Sequence, residues 1–586
     1  MGYFPEPDHT GHETGPYNST KVQEMLVQVD TVLGTLFDGL LQRNLMNCIN
    51  LILVADHGMD SISAEQTFFV DDLITEEKFP ELDLSHDVYI REGVPGQITN
   101  SVQSEENFAK WSSELAEEIK NELDCNLPGE HSRAFLKGVD TPKRLHYMNN
   151  DRIADVLLNM EAQWSVKRSN SGWMPEGGNH GFDNEYNAMH ALFLGYGAAF
   201  KNGYYDETVH QNIELYDMMC GIMNVEPSPN NGTRGALDHV LVDGYKRMEK
   251  DNVFKAEELN NVETYGYDRV CDRCTADDLY EIYGKTVADM NTELYMSQNE
   301  KIEIVSEKMP FLIDLKEKYV LQKDGSEISY EILPQTDFVT VRDSNQNLKA
   351  VSFNVDDKAT GIPTNKVKQC VRIDPRSLDL SEESEDFCNA ENNNPFYLFP
   401  LSKSSNPIAQ SEAILNTNII KSGGKSLQTF YEKVVEKFFR GWASNSINGV
   451  LNIMAGPIFD NDLDGNFDAN VDENMETLTH LFLIVSDIGR DEEINRNSKI
   501  MSFVIPNWPN EPCDFDVDSV EYLQSILEMH VSTVNDIELL TGLKFKYNQG
   551  NNDEESEVSM KLKMKLPQWS TDFWDHSMET GTDRGA

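Results

Sequence analysis

The sequence predicts an α/β protein of at least two domains, with a parallel-sheet domain first and a mixed domain of strands and helices after it. Three observations lead there. The chain has 586 residues, 39% of them hydrophobic, and a single core stops growing at about 250–300 residues. A helical apolar stripe over residues 21–41 is followed by a continuous apolar run, Leu51-Ile52-Leu53-Val54-Ala55. Such a run suits a strand buried on both faces, as in a parallel sheet. Beyond about residue 291, candidate strands and helices alternate without the first domain's motifs.

The elements follow in chain order. Val22, Met25, Val29, Val32, Leu36 and Leu40 recur at helical spacing, and Ser19 or Thr20 can cap the start. The 51–55 strand ends in Asp56-His57-Gly58, at the strand end where open α/β sheets place their ligands. Residues 191–197 read as another strand of that sheet, and 227–232 as a turn near the domain's end. Residues 244–290 are polar and weakly periodic, contain Cys271 and Cys274, and read as a disulfide-bearing linker. The second domain has candidate strands at 338–341, 449–454, 480–485 and 501–505, and candidate helices at 425–443 and 519–530. The acidic stretches 381–386 and 551–557 read as solvated loops.

Charge and cysteine content narrow the setting. With 49 basic and 100 acidic residues the formal charge is −51, which repels phosphate backbones and anionic lipid and favours bound cations, so no nucleic-acid partner is expected. Eight cysteines and two sequons, at Asn18 and Asn231, fit an exported glycoprotein with disulfides, although buried thiols would also fit the count. The sequence has no apolar run long enough to span a membrane and no visible signal peptide. A secreted-looking chain of this kind raises the expectation of sequence N-terminal to Met1.

Five side chains in the first 180 residues suit a metal. Asp8 and His12 are four apart, hence on one face if the segment is helical. Asp56 and His57 are adjacent at a strand end, and His180 lies among glycines, where backbone can approach closely. Carboxylate plus imidazole is a ligand mix common for Zn²⁺. Far downstream, Asp460-Asn461-Asp462-Leu463-Asp464-Gly465-Asn466-Phe467-Asp468 places oxygens at positions 1, 3, 5, 7 and 9 with Gly at 6, a pattern for Ca²⁺. Position 12 is Val471 and not Glu, so the loop is not that of a paired-helix sensor.

Three stretches, Tyr3-Phe4-Pro5-Glu6-Pro7-Asp8-His9-Thr10-Gly11-His12, Leu51 through Met59 and Asn179-His180-Gly181-Phe182-Asp183-Asn184, resemble successive motifs of the ectonucleotide pyrophosphatase/phosphodiesterase family. Residues 142–147 and 230–233 fit the same family, and the likeness runs nearly the full chain. The resemblance implies a partial alkaline-phosphatase-like domain over 1–243, a linker over 244–290, and an α+β domain like that of DNA/RNA non-specific endonucleases over 291–586. It implies one complete zinc set, Asp8, His12 and His180, and half of a second, Asp56 and His57. The nucleophilic Thr and the remaining Asp belong, in the family, to segments preceding these motifs. Thr10 is not at the nucleophile's place. The chain is therefore expected to be an inactive or weakly active fragment, with an exposed sheet edge. In the family's calcium loop Asp460, Asp462, Asp464 and Asp468 would ligate by side chain and Asn466 by its carbonyl. No histidine falls between His239 and His480, where a nuclease base belongs, so the nuclease-like domain is expected to be inactive.

The implied activity is zinc-dependent hydrolysis of phosphodiester or pyrophosphate bonds in extracellular nucleotides, in an extracellular or cell-surface setting. Nucleotide and lysophospholipid substrates both stay open. A non-catalytic, calcium-stabilised extracellular scaffold is the alternative.

Overall fold

The computed structural model describes most of residues 2–246, 270–313, 327–356, 370–376, 395–468, 478–487, 499–547 and 560–566. The chain divides into two compact units, one of residues 1–141, 147–249 and 512–514, the other of 142–146, 250–511 and 515–586. Each is a mixture of helices and sheet, as the sequence predicts.

In the first unit, helix α1 (Asp8–Thr14) is followed by α2 (Thr20–Gln42), which Ser19 caps by accepting from the Val22 N–H at 3.3 Å. That matches the start read from the apolar stripe. Of that stripe only Val22 is buried, Met25, Val29 and Leu40 are half-buried, and Val32 and Leu36 are exposed. Strand β1 (Asn50–Val54) pairs with the second expected strand, Phe193–Gly197, but antiparallel, with Leu51 opposite Tyr196 and Leu53 opposite Leu194. Among the described residues of this unit, parallel pairing occurs in one short pair, Thr67–Phe69 with Ser165–Lys167. An apolar run reports burial and not strand direction, and here burial is incomplete, since Val54 and Leu194 are 45% and 46% exposed.

The unit's core lies under a four-stranded antiparallel sheet of Val88–Arg91, Gly96–Asn100, Val156–Asn159 and Arg133–Leu136, in that spatial order. Helix α3 (Ser113–Asp124) covers it. Leu115, Ile119 and Leu123 recur every four residues and meet Ile98, Val156 and Leu158 in one apolar cluster. Each such side chain contributes roughly 1.5–3 kcal/mol relative to an exposed one. Ser112 caps α3, and the Cys125–Cys513 disulfide ties its end to Cys513 of the same unit.

The second unit is built on a seven-stranded antiparallel sheet. Its order is Tyr330–Pro334, Phe338–Asp343, Leu348–Asp356, Val450–Ile458, His480–Asp487, Lys499–Pro506 and Val531–Ser532. Successive residues alternate between two apolar clusters: Leu481, Leu483 and Val485 enter one, Phe482 and Ile484 the other. Both faces are therefore covered, which explains why these strands read as continuous apolar runs. Helical turns over 425–445 and 520–529 pack on one face, and the helix Val534–Thr541 on the other. Residues 244–290, expected as a linker, contribute a disulfide, Cys274–Cys370. They also contribute the helices Ala276–Tyr283 and Val287–Thr292, whose Leu279, Val287 and Met290 enter the core. Paired Thr–Asp capping boxes start both helices. Cys48 and Cys220 are outside any disulfide. The acidic loops at 381–386 and 551–557, Asn18, Cys271 and Cys388 lie outside the described residues.

Within this unit His146 Nε2 lies 2.9 Å from the buried carboxylate of Asp536. The hydrogen bond to Asp536 raises the His146 pKa, against burial, which lowers it. A raised folded-state value stabilises below the unfolded histidine value of about 6.5, and the contribution is lost as pH rises through the folded value. His146→Gln is therefore expected to cost ~0.5–1 kcal/mol at pH 6 and less at pH 9, because the imidazole is partly exposed and its ion pair is screened. Equal shifts of the denaturant midpoint at both pH values would contradict this.

Candidate metal centre

The first three sequence motifs converge on one place in the first unit. Pro7 precedes α1, where its fixed φ suits a helix start. The Thr10 N–H donates to Glu6 Oε2 at 3.2 Å, closing the first turn. One helical turn then separates Asp8 from His12 and puts both on one face.

Strand Gly177–Asn179 packs against that helix through bare backbone. A Cβ on Gly178 would sit 2.6 Å from the Gly11 carbonyl oxygen, and one on Gly177, with φ +96°, would sit 2.1 Å from that of His12. Only glycine permits this approach, and it carries His180 next to Asp8. The same strand pairs antiparallel with Asp60–Ile62, Asp60 opposite Asn179, so the segment holding Asp56 and His57 arrives at the same point.

There, His12 Nε2 is 3.5 Å and His180 Nε2 3.9 Å from Asp8 Oδ1. His57 stacks on His180 with ring centroids 3.6 Å apart and planes 15° from parallel, and its Nε2 is 3.6 Å from Asp56 Oδ2. Ligand-type atoms of Asp8, His57 and His180 all lie within 4.8 Å of one another. His12 Nδ1 is 2.9 Å from the Gly178 carbonyl oxygen and His57 Nδ1 2.8 Å from that of Gly58. In each ring Nδ1–H donates to a carbonyl, which leaves the Nε2 lone pair for the centre, the arrangement that orients metal-binding histidines.

Two further features fit a cation. Asp8 Oδ1 is shielded from solvent and accepts no hydrogen bond among the described residues. The Asp8 side chain as a whole is 46% exposed, and a cation would satisfy the one shielded oxygen. The His180 pKa is lowered, first by burial and then by the neighbouring His57 and His12, which favours the neutral, ligating ring. Asp56 differs from the rest. Its side chain is 81% exposed, and its backbone carbonyl accepts from Asn212 Nδ2 at 2.8 Å. All five predicted residues are thus neighbours, and His57, assigned by resemblance to a half-set, stands with Asp8 and His180.

The second predicted centre, at residues 460–468, is a self-bonded loop of the second unit. Carboxylates of Asp460, Asp462 and Asp464 gather within 4.8 Å. The Asp464 N–H donates to Asp462 Oδ1 at 3.1 Å, and the Asn466 N–H to Asp464 Oδ1 at 2.7 Å. Leu463 and Gly465 both take positive φ, 60° and 81°, so the chain curls around the carboxylates. The Asp468 pKa is raised by burial and then, against the Asn461 N–H that lowers it, by Asp462, Asp460 and Asp464. The fully buried Asp460 also binds Lys143 Nζ, 2.5 Å from its Oδ2. No local pattern pointed to Lys143. A third cluster, Asp206, His210 and His239, also escaped the sequence reading; the i, i+4 spacing of Asp206 and His210 was its one signal.

Comparison with known proteins fits this geometry. Residues 1–183 match the family described as Type I phosphodiesterase / nucleotide pyrophosphatase. A venom phosphodiesterase of Naja atra is 30% identical over 570 residues, 93% of this chain and 64% of that protein. Mouse ectonucleotide pyrophosphatase/phosphodiesterase family member 3 is 30% identical over 599 residues, 97% of this chain and 63% of that protein. The chain belongs to the ectonucleotide pyrophosphatase/phosphodiesterase family. It spans a little under two thirds of the length of these relatives, 65% in the case of venom phosphodiesterase 2 of Crotalus adamanteus. All five residues of the convergent centre fall inside the matched segment, whereas the 460–468 loop and the Asp206 cluster fall outside it. Among the described residues no helix is long and apolar enough to cross a membrane.

Proposed function

We propose that Asp8, His12, Asp56, His57 and His180 bind zinc and serve the hydrolysis of phosphodiester or pyrophosphate bonds in nucleotides outside the cell. The observation that carries this is Asp8 Oδ1, shielded from solvent, without a hydrogen-bond donor, and faced by two imidazole Nε2 atoms at 3.5 and 3.9 Å. When bound, zinc polarises a phosphoryl oxygen and stabilises negative charge as the bond breaks. The chain's own residues have two tasks. The carboxylates and imidazoles hold the cation, and the Gly178 and Gly58 carbonyls fix the tautomers of His12 and His57. The names of the venom and mammalian relatives support the reaction class and an extracellular or cell-surface setting.

By resemblance, the 586 residues supply five of the family's ligands but not its nucleophilic Thr or remaining Asp. We propose that a polypeptide of these residues alone holds metal but turns substrate over slowly. Assayed with zinc on a chromogenic nucleotide phosphodiester, it is expected to bind zinc, to lose that zinc in Asp8→Asn, and to show turnover far below that of a family enzyme. Zinc content unchanged in Asp8→Asn would overturn the ligand assignment, and turnover at the family's level would overturn the incomplete centre.

The 460–468 loop supports a second proposal, that Ca²⁺ binds Asp460, Asp462, Asp464 and Asp468, with the Asn466 carbonyl, and stabilises the second unit. Calcium is expected to raise the unfolding temperature, and chelation to reverse the rise. The same loop would serve a non-catalytic scaffold. Asn231 lies exposed in its turn, which suits a glycan there. The charge of −51 argues against a nucleic-acid substrate.

A further inference from the structure

We infer that Asp206, His210 and His239 form another metal site, for a divalent transition ion of the Zn²⁺ class, outside the matched phosphodiesterase segment and separate from the Asp8 centre. Two imidazole nitrogens converge on one carboxylate oxygen: His239 Nε2 is 2.5 Å and His210 Nε2 3.2 Å from Asp206 Oδ2. The two rings are 5.1 Å apart, and ligand-type atoms of the three residues lie within 4.8 Å of one another. The side chains are 13%, 19% and 3% exposed for Asp206, His210 and His239, so the group is largely withdrawn from water.

The surroundings of His239 favour a metal over a simple hydrogen-bond network. Its Nδ1 is 3.1 Å from the Ala236 carbonyl oxygen, an acceptor, so Nδ1 carries the proton. Its Nε2 then presents a lone pair to a carboxylate, which is also an acceptor. Two acceptors at opposite nitrogens leave three solutions: a doubly protonated ring facing the carboxylate, a protonated Asp206 donating to Nε2, or a neutral ring and a carboxylate that part around a cation. The third needs neither a buried imidazolium nor a neutral carboxyl, and a carbonyl on the far nitrogen is the partner that metal-bound histidines use. Two His and one carboxylate match the donor set of zinc sites and of the two-His, one-carboxylate iron sites.

The fold shows what such an ion does. Phe200 bridges Leu241, with Lys201 N to Val240 O at 3.0 Å and Val242 N to Ala199 O at 2.9 Å, which holds the turn Asp238–Val240 beside the start of the loop. Asp206 and His210 lie in the loop between that bridge and the helix Glu214–Met223. A metal fastens the loop to the turn at a second point. Asn212, two residues beyond His210, holds the Asp56 carbonyl, so the fastened loop also steadies one residue of the Asp8 centre.

The test uses the full chain, stripped of metal and reloaded with zinc in the presence of calcium. The zinc-induced rise in unfolding temperature and the zinc content are measured for the wild type and for Asp206→Asn, His210→Gln and Asp8→Asn. His210 is on a loop and partly exposed, so His210→Gln reports on the site even if substitutions at the buried His239 unfold the protein. Asp206→Asn and His210→Gln are each expected to lose about one zinc per chain and part of the thermal rise. Asp8→Asn is expected to keep that zinc. Unchanged zinc content in both loop variants would overturn this assignment, whatever Asp8→Asn does.

Discussion

Asp460→Ala is expected to destabilise the second unit by ~3–5 kcal/mol, the cost of leaving a buried charge without its partner. Asp460 is fully buried, and the Lys143 side chain beside it is 3% exposed. Removing the carboxylate takes this ion pair from a buried ammonium. Denaturant unfolding of Asp460→Ala, Lys143→Met and the double variant measures this. The double variant should be less destabilised than the sum of the two singles, because neither charge is then left alone. Additive losses would show that the pair is not coupled. Calcium should stabilise wild type and not Asp460→Ala, since that loop loses its first ligand.

The other large effect is expected at Gly178. Valine there must displace the Gly11 backbone, which a Cβ would approach to 2.6 Å. Backbone cannot yield as a flexible side chain can, so α1 must leave the strand and take Asp8 and His12 away from His180. Zinc affinity should fall at least ~10–100-fold, as when a supporting partner of a metal ligand is lost, while the second unit's unfolding stays unchanged. Competition with a chromogenic chelator reads the affinity. Wild-type affinity in Gly178→Val would mean that the close approach does not position the centre.

What the sequence made legible was local. The Ser19 cap and apolar spacing gave α2 to within a residue or two, and the apolar runs at 480–485 and 501–505 gave central strands. The Asp460 loop was legible because all its oxygens lie within nine residues. What was not legible depends on distant pairing. Strand direction at Leu51–Val54 is set by its partner 140 or so residues later, which apolarity does not encode. Lys143 meets Asp460 across 317 positions, with no spacing rule to join them. The split of five metal-type residues into a full set and a half set came from resemblance, whereas stacking of His57 on His180 is a tertiary fact. His239 read as one histidine among 13 until folding set it against Asp206.

We propose one metal position among Asp8, His12, His57 and His180, with Asp56 beside it. Anomalous diffraction at the zinc absorption edge, from crystals of the zinc-loaded chain, tests it most directly. A peak is expected within coordination distance of Asp8 Oδ1 and of the Nε2 atoms of two of the three histidines, and is expected to be lost in crystals of Asp8→Asn. Zinc-loaded crystals with no peak there, or a peak that survives Asp8→Asn, would contradict it.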